Sequence, residues 1–206
     1  PRNSSQHVRS AVIEVAPDGK TIYMPFHQAP GSPWQGIVGV DLETLTEKPI
    51  VTFAGPGYPG NTVPGLAVSP DGSTLAVQVW ATPPRTARLL SVRTDGSGNR
   101  ELFGPFPARI TPSLTRWTRD GRSILFFTHK DGDWQMLRIP AEGGEPERDG
   151  LDVKSAAASA SGAPPAHPLS LDLSPDGTHI VFGAWRRSTG EIRSVGNLLS
   201  HLTPRR

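Results

Sequence analysis

The apolar positions of this chain fall into a pattern that recurs four times. Each copy centres on an Asp-Gly pair: APDGKTIYM around Asp18, SPDGSTLAV around Asp71, TRDGRSILFF around Asp120 and SPDGTHIVF around Asp176. Three and five residues before the Asp the side chains are apolar: Val15 and Ile13, Val68 and Leu66, Trp117, and Leu173 and Leu171, with Thr115 the one polar exception. Such a period of two marks a strand with one face toward a core. After the corner both alternating sets become apolar, at Ile22 to Met24, Leu75 to Val77, Ile124 to Phe127 and Ile180 to Phe182. That predicts a strand covered on both faces. Between the two strands, Pro presets its own φ, Asp bonds nearby backbone and Gly accepts the positive φ of a tight turn. Each copy therefore reads as a hairpin corner between a half-covered strand and a sandwiched one.

Third strands are predicted at 37–43, 88–94, 134–140 and 191–196, with weaker fourth strands at 49–54, 100–104 and near Leu151. The corners lie 53, 49 and 56 residues apart, a period that suits a four-stranded propeller blade, whose strands and turns need about 40–50 positions. The fold class expected is all-β, a β-propeller region over 1–206 with blades at about 8–60, 61–108, 109–153 and 166–200. The small, polar, Pro-rich stretch 154–168 is expected to be a flexible loop entering the last unit.

Composition agrees with a turn-rich chain: 22 Gly and 22 Pro in 206 residues, against an average share of roughly an eighth. Lys plus Arg number 21 and Asp plus Glu 19, a net charge of +2. No basic run forms the footprint that nucleic acid or anionic lipid would need, so neither is expected as a partner. There is no cysteine, which excludes disulfides and cysteine-based metal or redox sites. No apolar run reaches the length of a membrane span, so no membrane insertion is expected. The first residues lack an initiator Met and a signal-peptide core, so the chain reads as a fragment.

The SPDG corner with its following apolar strand, together with RIPAEGGEPER at 138–148, resembles the TolB-like, WD-like β-propeller repeats of bacterial proteins. The resemblance covers nearly the whole chain and is specific for fold. It implies a six- to eight-bladed ring of which these are the C-terminal four blades, with the remainder upstream. Because no residues of the sequence assemble into a reactive site, the function expected is that of a non-enzymatic binding or scaffold module for a protein, peptide or small ligand, in a periplasmic or otherwise extracytoplasmic setting, with the cytoplasm left open. The alternative is a sensor or substrate-gating propeller attached to a kinase, a transcriptional regulator or a prolyl-oligopeptidase-like peptidase. Activity does not follow from fold, because the family spans all of these.

The candidate site residues form two sets. Four residues before each turn Asp, on the strand expected to line the channel, stand Glu14, Ala67, Arg116 and Asp172. The charged three read either as the lining of a channel mouth that grips a ligand or, for Arg116 and Asp172, as an inter-blade ion pair satisfying buried charge. Nine residues after each turn Asp stand His27, Trp80, His129 and Trp185. These read either as a contact surface at one rim or as strand-end residues packing on the next blade. The two histidines belong to blades that are not adjacent, so no metal site is expected.

Other patterns fail on their chemistry. Gly55, Gly57 and Gly60 match a dinucleotide fingerprint in spacing, but Pro56 and Pro59 remove amide donors and no helix follows. Asp131 and Asp133 lack the remaining ligands of a calcium loop. Neither a nucleophile elbow nor a zinc-protease motif is present. No catalytic residue and no cofactor is expected.

Overall fold

A computed structural model describes residues 12–26, 36–53, 62–81, 86–107, 115–130, 133–148, 167–174, 176, 179–185 and 190–195. They form strands only, in four antiparallel sheets. The first blade comprises β1 (Glu14–Val15), β2 (Thr21–Phe26), β3 (Gly36–Asp41) and β4 (Glu47–Thr52), and the second β5 (Thr62–Val68), β6 (Thr74–Ala81), β7 (Thr86–Arg93) and β8 (Asn99–Pro107). The third comprises β9 (Thr115–Trp117), β10 (Ser123–Lys130), β11 (Asp133–Pro140) and β12 (Glu147–Arg148). The fourth has β13 (His167–Leu173), β14 (Ile180–Trp185) and β15 (Gly190–Val195). Strand order within each sheet follows the chain, the meander of a propeller blade. The fourth strand of the third blade stands at Glu147–Arg148, ahead of its predicted place near Leu151. Its pairing with Leu137 and Arg138 fixes it there. Loop 154–168 lies outside the described residues except for its last two.

The corners fold by a device richer than a bare turn. Around Asp71, the Ser69 hydroxyl donates to Oδ1 at 2.6 Å, the Ser73 amide donates to the same oxygen at 3.0 Å, and the Thr74 amide donates to Ser69 Oγ at 3.0 Å. Gly72 sits at φ 74°, where a Cβ would strain the backbone. The third corner repeats this with Thr118 and Asp120, at 2.7 Å between Oγ1 and Oδ1, and its Ser123 amide donates to Thr118 Oγ1 at 3.0 Å. TRDG thus keeps the hydroxyl that SPDG supplies. In the first corner Ala16 has none, and among the described residues the Lys20 amide donates to Asp18 at 2.9 Å.

Successive blades bury their faces against each other. One core lies between the first and second blades, with Tyr23, Ile37 and Val51 meeting Leu66, Leu75 and Leu90. A second lies between the second and third, where Leu89 and Phe106 meet Trp117, Ile124 and Phe126. There Phe103, Phe106 and Phe126 form an aromatic group with centroids 5.3–5.9 Å apart. The division follows the period of two: in β5, Leu66 joins the first core and Ala67 the second. In the second and third blades, Leu66, Val68 and Trp117, three or five residues before the Asp, face the preceding blade. Their counterparts in the first blade, Ile13 and Val15, are each 53% exposed.

Candidate functional site

The residues four before each turn Asp come from β1, β5, β9 and β13, the first strand of each sheet, and these strands approach one another in blade order. Arg116 is the hub. Its Nη1 lies 3.2 Å from Glu14 Oε1, and its Nε donates to Asp172 Oδ1 at 3.4 Å. Nη1 also donates to the Thr115 carbonyl at 2.9 Å. Asp172 is thus paired as the sequence suggested, but the expectation of a buried pair is corrected: its side chain is 77% exposed. Such an open pair contributes little to stability.

Glu14 is the more enclosed partner, and it comes from two blades away. Ala67, between them in blade order, carries no side chain beyond Cβ, so no larger group stands at the equivalent position of the intervening blade. Desolvation by burial pushes the Glu14 carboxyl above its ordinary value, while the Arg116 charge and the Val68 amide oppose that shift. The result is one guanidinium shared by two carboxylates of unequal exposure. Arg116 is held from the protein side, and Asp172 offers free oxygen capacity to solvent.

The second set divides differently. Trp80 is half-buried and packs on the core between the second and third blades. Its indole nitrogen is buried without a hydrogen-bond partner, as is Oε1 of Gln78 two residues earlier. For Trp80, packing on the next blade is what the structure shows, and no part of its indole nitrogen meets solvent. His129 and Trp185 stand in β10 and β14 opposite Trp134 and His167 respectively, while their side chains lie outside the described residues, as does all of His27. The Gly55–Gly60 stretch and Asp131 also lie outside them.

Sequence reasoning missed a concavity on the corner side. A cleft of about 590 Å³ opens between the second and third blades, beside both Asp-Gly corners. Trp117, Ser91, Arg93, Arg100, Asp120 and Glu142 are among its lining residues. The Ser69 hydroxyl and the Ser73 amide and hydroxyl hold the Asp71 carboxyl below its ordinary value, and the Thr118 hydroxyl holds Asp120 below its own. Repeat periodicity gives corners but says nothing of the room between them, which depends on side-chain size across two blades. Among the described residues, no three His, Cys, Asp or Glu side chains gather as they would around a metal ion. Among the described residues no helix is long and apolar enough to cross a membrane.

No family model matches the chain, and no curated protein matches it in sequence. Solved structures do. TolB from Acinetobacter baumannii is similar at a TM-score of 0.61 and 18% identity, over 90% of this chain and 43% of that one. A putative TolB from Agrobacterium tumefaciens gives 0.62 and 15%, over 88% and 59%. A chain of the nidogen/laminin complex gives 0.59 and 11%, over 90% and 64%. This chain therefore spans about half the length of the TolB structures. At these identities the likeness speaks for architecture, and together with the stacked four-stranded meanders it establishes that the chain has the fold of a TolB-like β-propeller.

Proposed function

We propose that the chain is a non-catalytic recognition module that holds a protein or peptide partner at the charged cluster of its inner strands. The observation that carries this reading is the Glu14–Arg116–Asp172 arrangement. Three sheets contribute one charge each to a single place, and the outermost carboxylate is 77% exposed. A cluster serving only to neutralise buried charge would enclose both acids. Rigid sheets fix such a cluster without ordering cost on binding, which favours recognition by preorganised charge. The similarity to a chain of the nidogen/laminin complex supports a protein partner.

The exposure of Ile13 and Val15 supports a further part of this reading, that additional blades complete the ring. Equivalent positions in the second and third blades are covered by a preceding blade, so the first calls for the same cover. An extracytoplasmic setting belongs to the proposal through the family resemblance, and fractionation of the native host tests it.

The function is tested by selecting peptides from a display library on the folded chain and measuring their affinities. Arg116→Glu and Asp172→Lys are each expected to weaken the selected binders at least tenfold, with the unfolding midpoint held within a few degrees by Asp172→Lys and lowered by Arg116→Glu, which sets a like charge beside Glu14. Binders indifferent to both reversals would sink the site. Turnover of an ester or anilide substrate, abolished by one Ser or His substitution, would sink the non-catalytic reading.

A further inference from the structure

The repeat makes it possible to read the cleft against its counterpart one blade earlier. Between the first and second blades, Tyr23 fills the groove. It is buried at 7% exposure, and its ring crosses Gly39, with Cε1 only 3.3 Å from where a Cβ on that glycine would stand. Burial pushes its phenol above the ordinary value, and the Thr94 side chain on the neighbouring blade opposes that shift. Register defines the equivalent positions. Tyr23 pairs with Gly39 as Ala76 pairs with Ser91. Thr94 and Ala141 correspond as well, since their amides bond Ser73 O and Arg122 O at the same point after the third strand.

Between the second and third blades the ring, the surface beneath it and the Thr94 side chain are thus replaced by Ala76, Ser91 and Ala141. Trp117, standing where the previous blade has Val68, enters from the opposite side, and its Nε1 donates to the Ala67 carbonyl at 3.1 Å. That indole occupies part of the space without reaching the outer part, which remains as the 590 Å³ cleft. The volume falls within the ~300–1,000 Å³ of ligand pockets.

The chemistry of the walls narrows the occupant. Arg93 and Arg100 line the cleft, but so do Asp71, Asp120 and Glu142, so the charges do not favour an anion. An aromatic ring fits better. It can lie against the Trp117 indole and the guanidinium planes, and a phenol oxygen finds the Ser91 hydroxyl within the same walls. We propose that this cleft is a receptor for an aromatic side chain, tyrosine above all, presented by a partner polypeptide and taking the role that Tyr23 plays one groove earlier. The site is separate from the Arg116 cluster, so either can fail without the other.

The test is a titration of the full chain with N-acetyl-L-tyrosinamide, followed through amide resonances, with N-acetyl-L-alaninamide as control. Saturable shifts are expected at Ser91, Gly121 and Ala141 with the tyrosine amide alone. Ala141→Trp, a plug placed from a half-exposed turn, is expected to weaken binding at least tenfold, and Arg100→Gln severalfold. Absence of saturable shifts, shifts centred elsewhere, or equal binding of the alanine amide would overturn the proposal. So would unchanged binding to a folded Ala141→Trp variant. Should that variant not fold, the location of the shifts in the unaltered chain decides.

Discussion

Two tryptophans on facing sides of the same interface allow the hydrogen bonding between blades to be measured. Trp117 is 8% exposed, and its Nε1 donates to the Ala67 carbonyl on the second blade. Trp80 packs on the same core, but its Nε1 has no partner. Trp117→Phe removes the donor of a buried inter-blade hydrogen bond, at about 0.5–1.5 kcal/mol. The smaller ring forfeits on the order of 40 Å² of apolar burial, about 1 kcal/mol more. A loss of about 1.5–2.5 kcal/mol is expected. Trp80→Phe makes the same truncation in a half-buried ring and removes a donor without a partner, whose desolvation cost disappears with it. Its expected effect lies within about 1 kcal/mol of zero. Urea unfolding of both variants, compared at equal m, reads the difference. A Trp80→Phe loss equal to or larger than that of Trp117→Phe would refute the reasoning, because ring size and not the inter-blade bond would then control the interface.

Other outcomes follow from the charged cluster, the corners and the open face. Asp172→Ala should cost under about 1 kcal/mol because the pair is open to water, whereas Arg116→Ala, which deprives the enclosed Glu14 of its cation, should cost about 1–2 kcal/mol after allowance for partial exposure. A double-mutant cycle on Glu14 and Arg116 should show coupling, and additive losses would deny the contact. The raised Glu14 value means that its contribution is fully present below 4.5 and lost as pH rises through the folded value. Glu14→Gln should therefore flatten stability between pH 4 and 7, as thermal midpoints across that range will tell. The lowered Asp71 and Asp120 values have the opposite sign: their contributions hold above 3.8 and are lost as pH falls through the folded values. Asp71→Asn should lower the midpoint at pH 7 and leave a shallower acid limb, and an unchanged limb would contradict the corner's role. Finally, Ile13→Ser with Val15→Ser should reduce self-association of the isolated chain seen by light scattering, since these side chains are each 53% exposed.

The local chemistry of this chain was legible in its sequence because it repeats. Apolar alternation before each Asp-Gly pair placed β5 and β13, and the paired apolar sets after it placed β6, β10 and β14, since a strand between two sheets must be greasy on both faces. Even Thr115, the polar exception, is fully buried where the pattern put it. The fourth strand of the third blade was weak in the sequence because it lies at the outer edge, where burial imposes little: Glu147 and Arg148 are both exposed. The equivalence of Glu14, Ala67, Arg116 and Asp172 was also visible, as a common distance from the corner. What that distance could not give was which pairs meet. Adjacency in sequence favoured Arg116 with Asp172, but the closer contact is to Glu14, two blades back, and whether an ion pair is enclosed depends on neighbours in three sheets at once. The cleft beside Trp117 has the same origin. Its space follows from Ala76 and Ala141 standing where Tyr23 and Thr94 stand one groove earlier, on strands from different blades. Period and propensity act along one strand and are written in order, whereas packing volume and charge enclosure are properties of faces brought together from distant segments, and only the assembled sheets decide them.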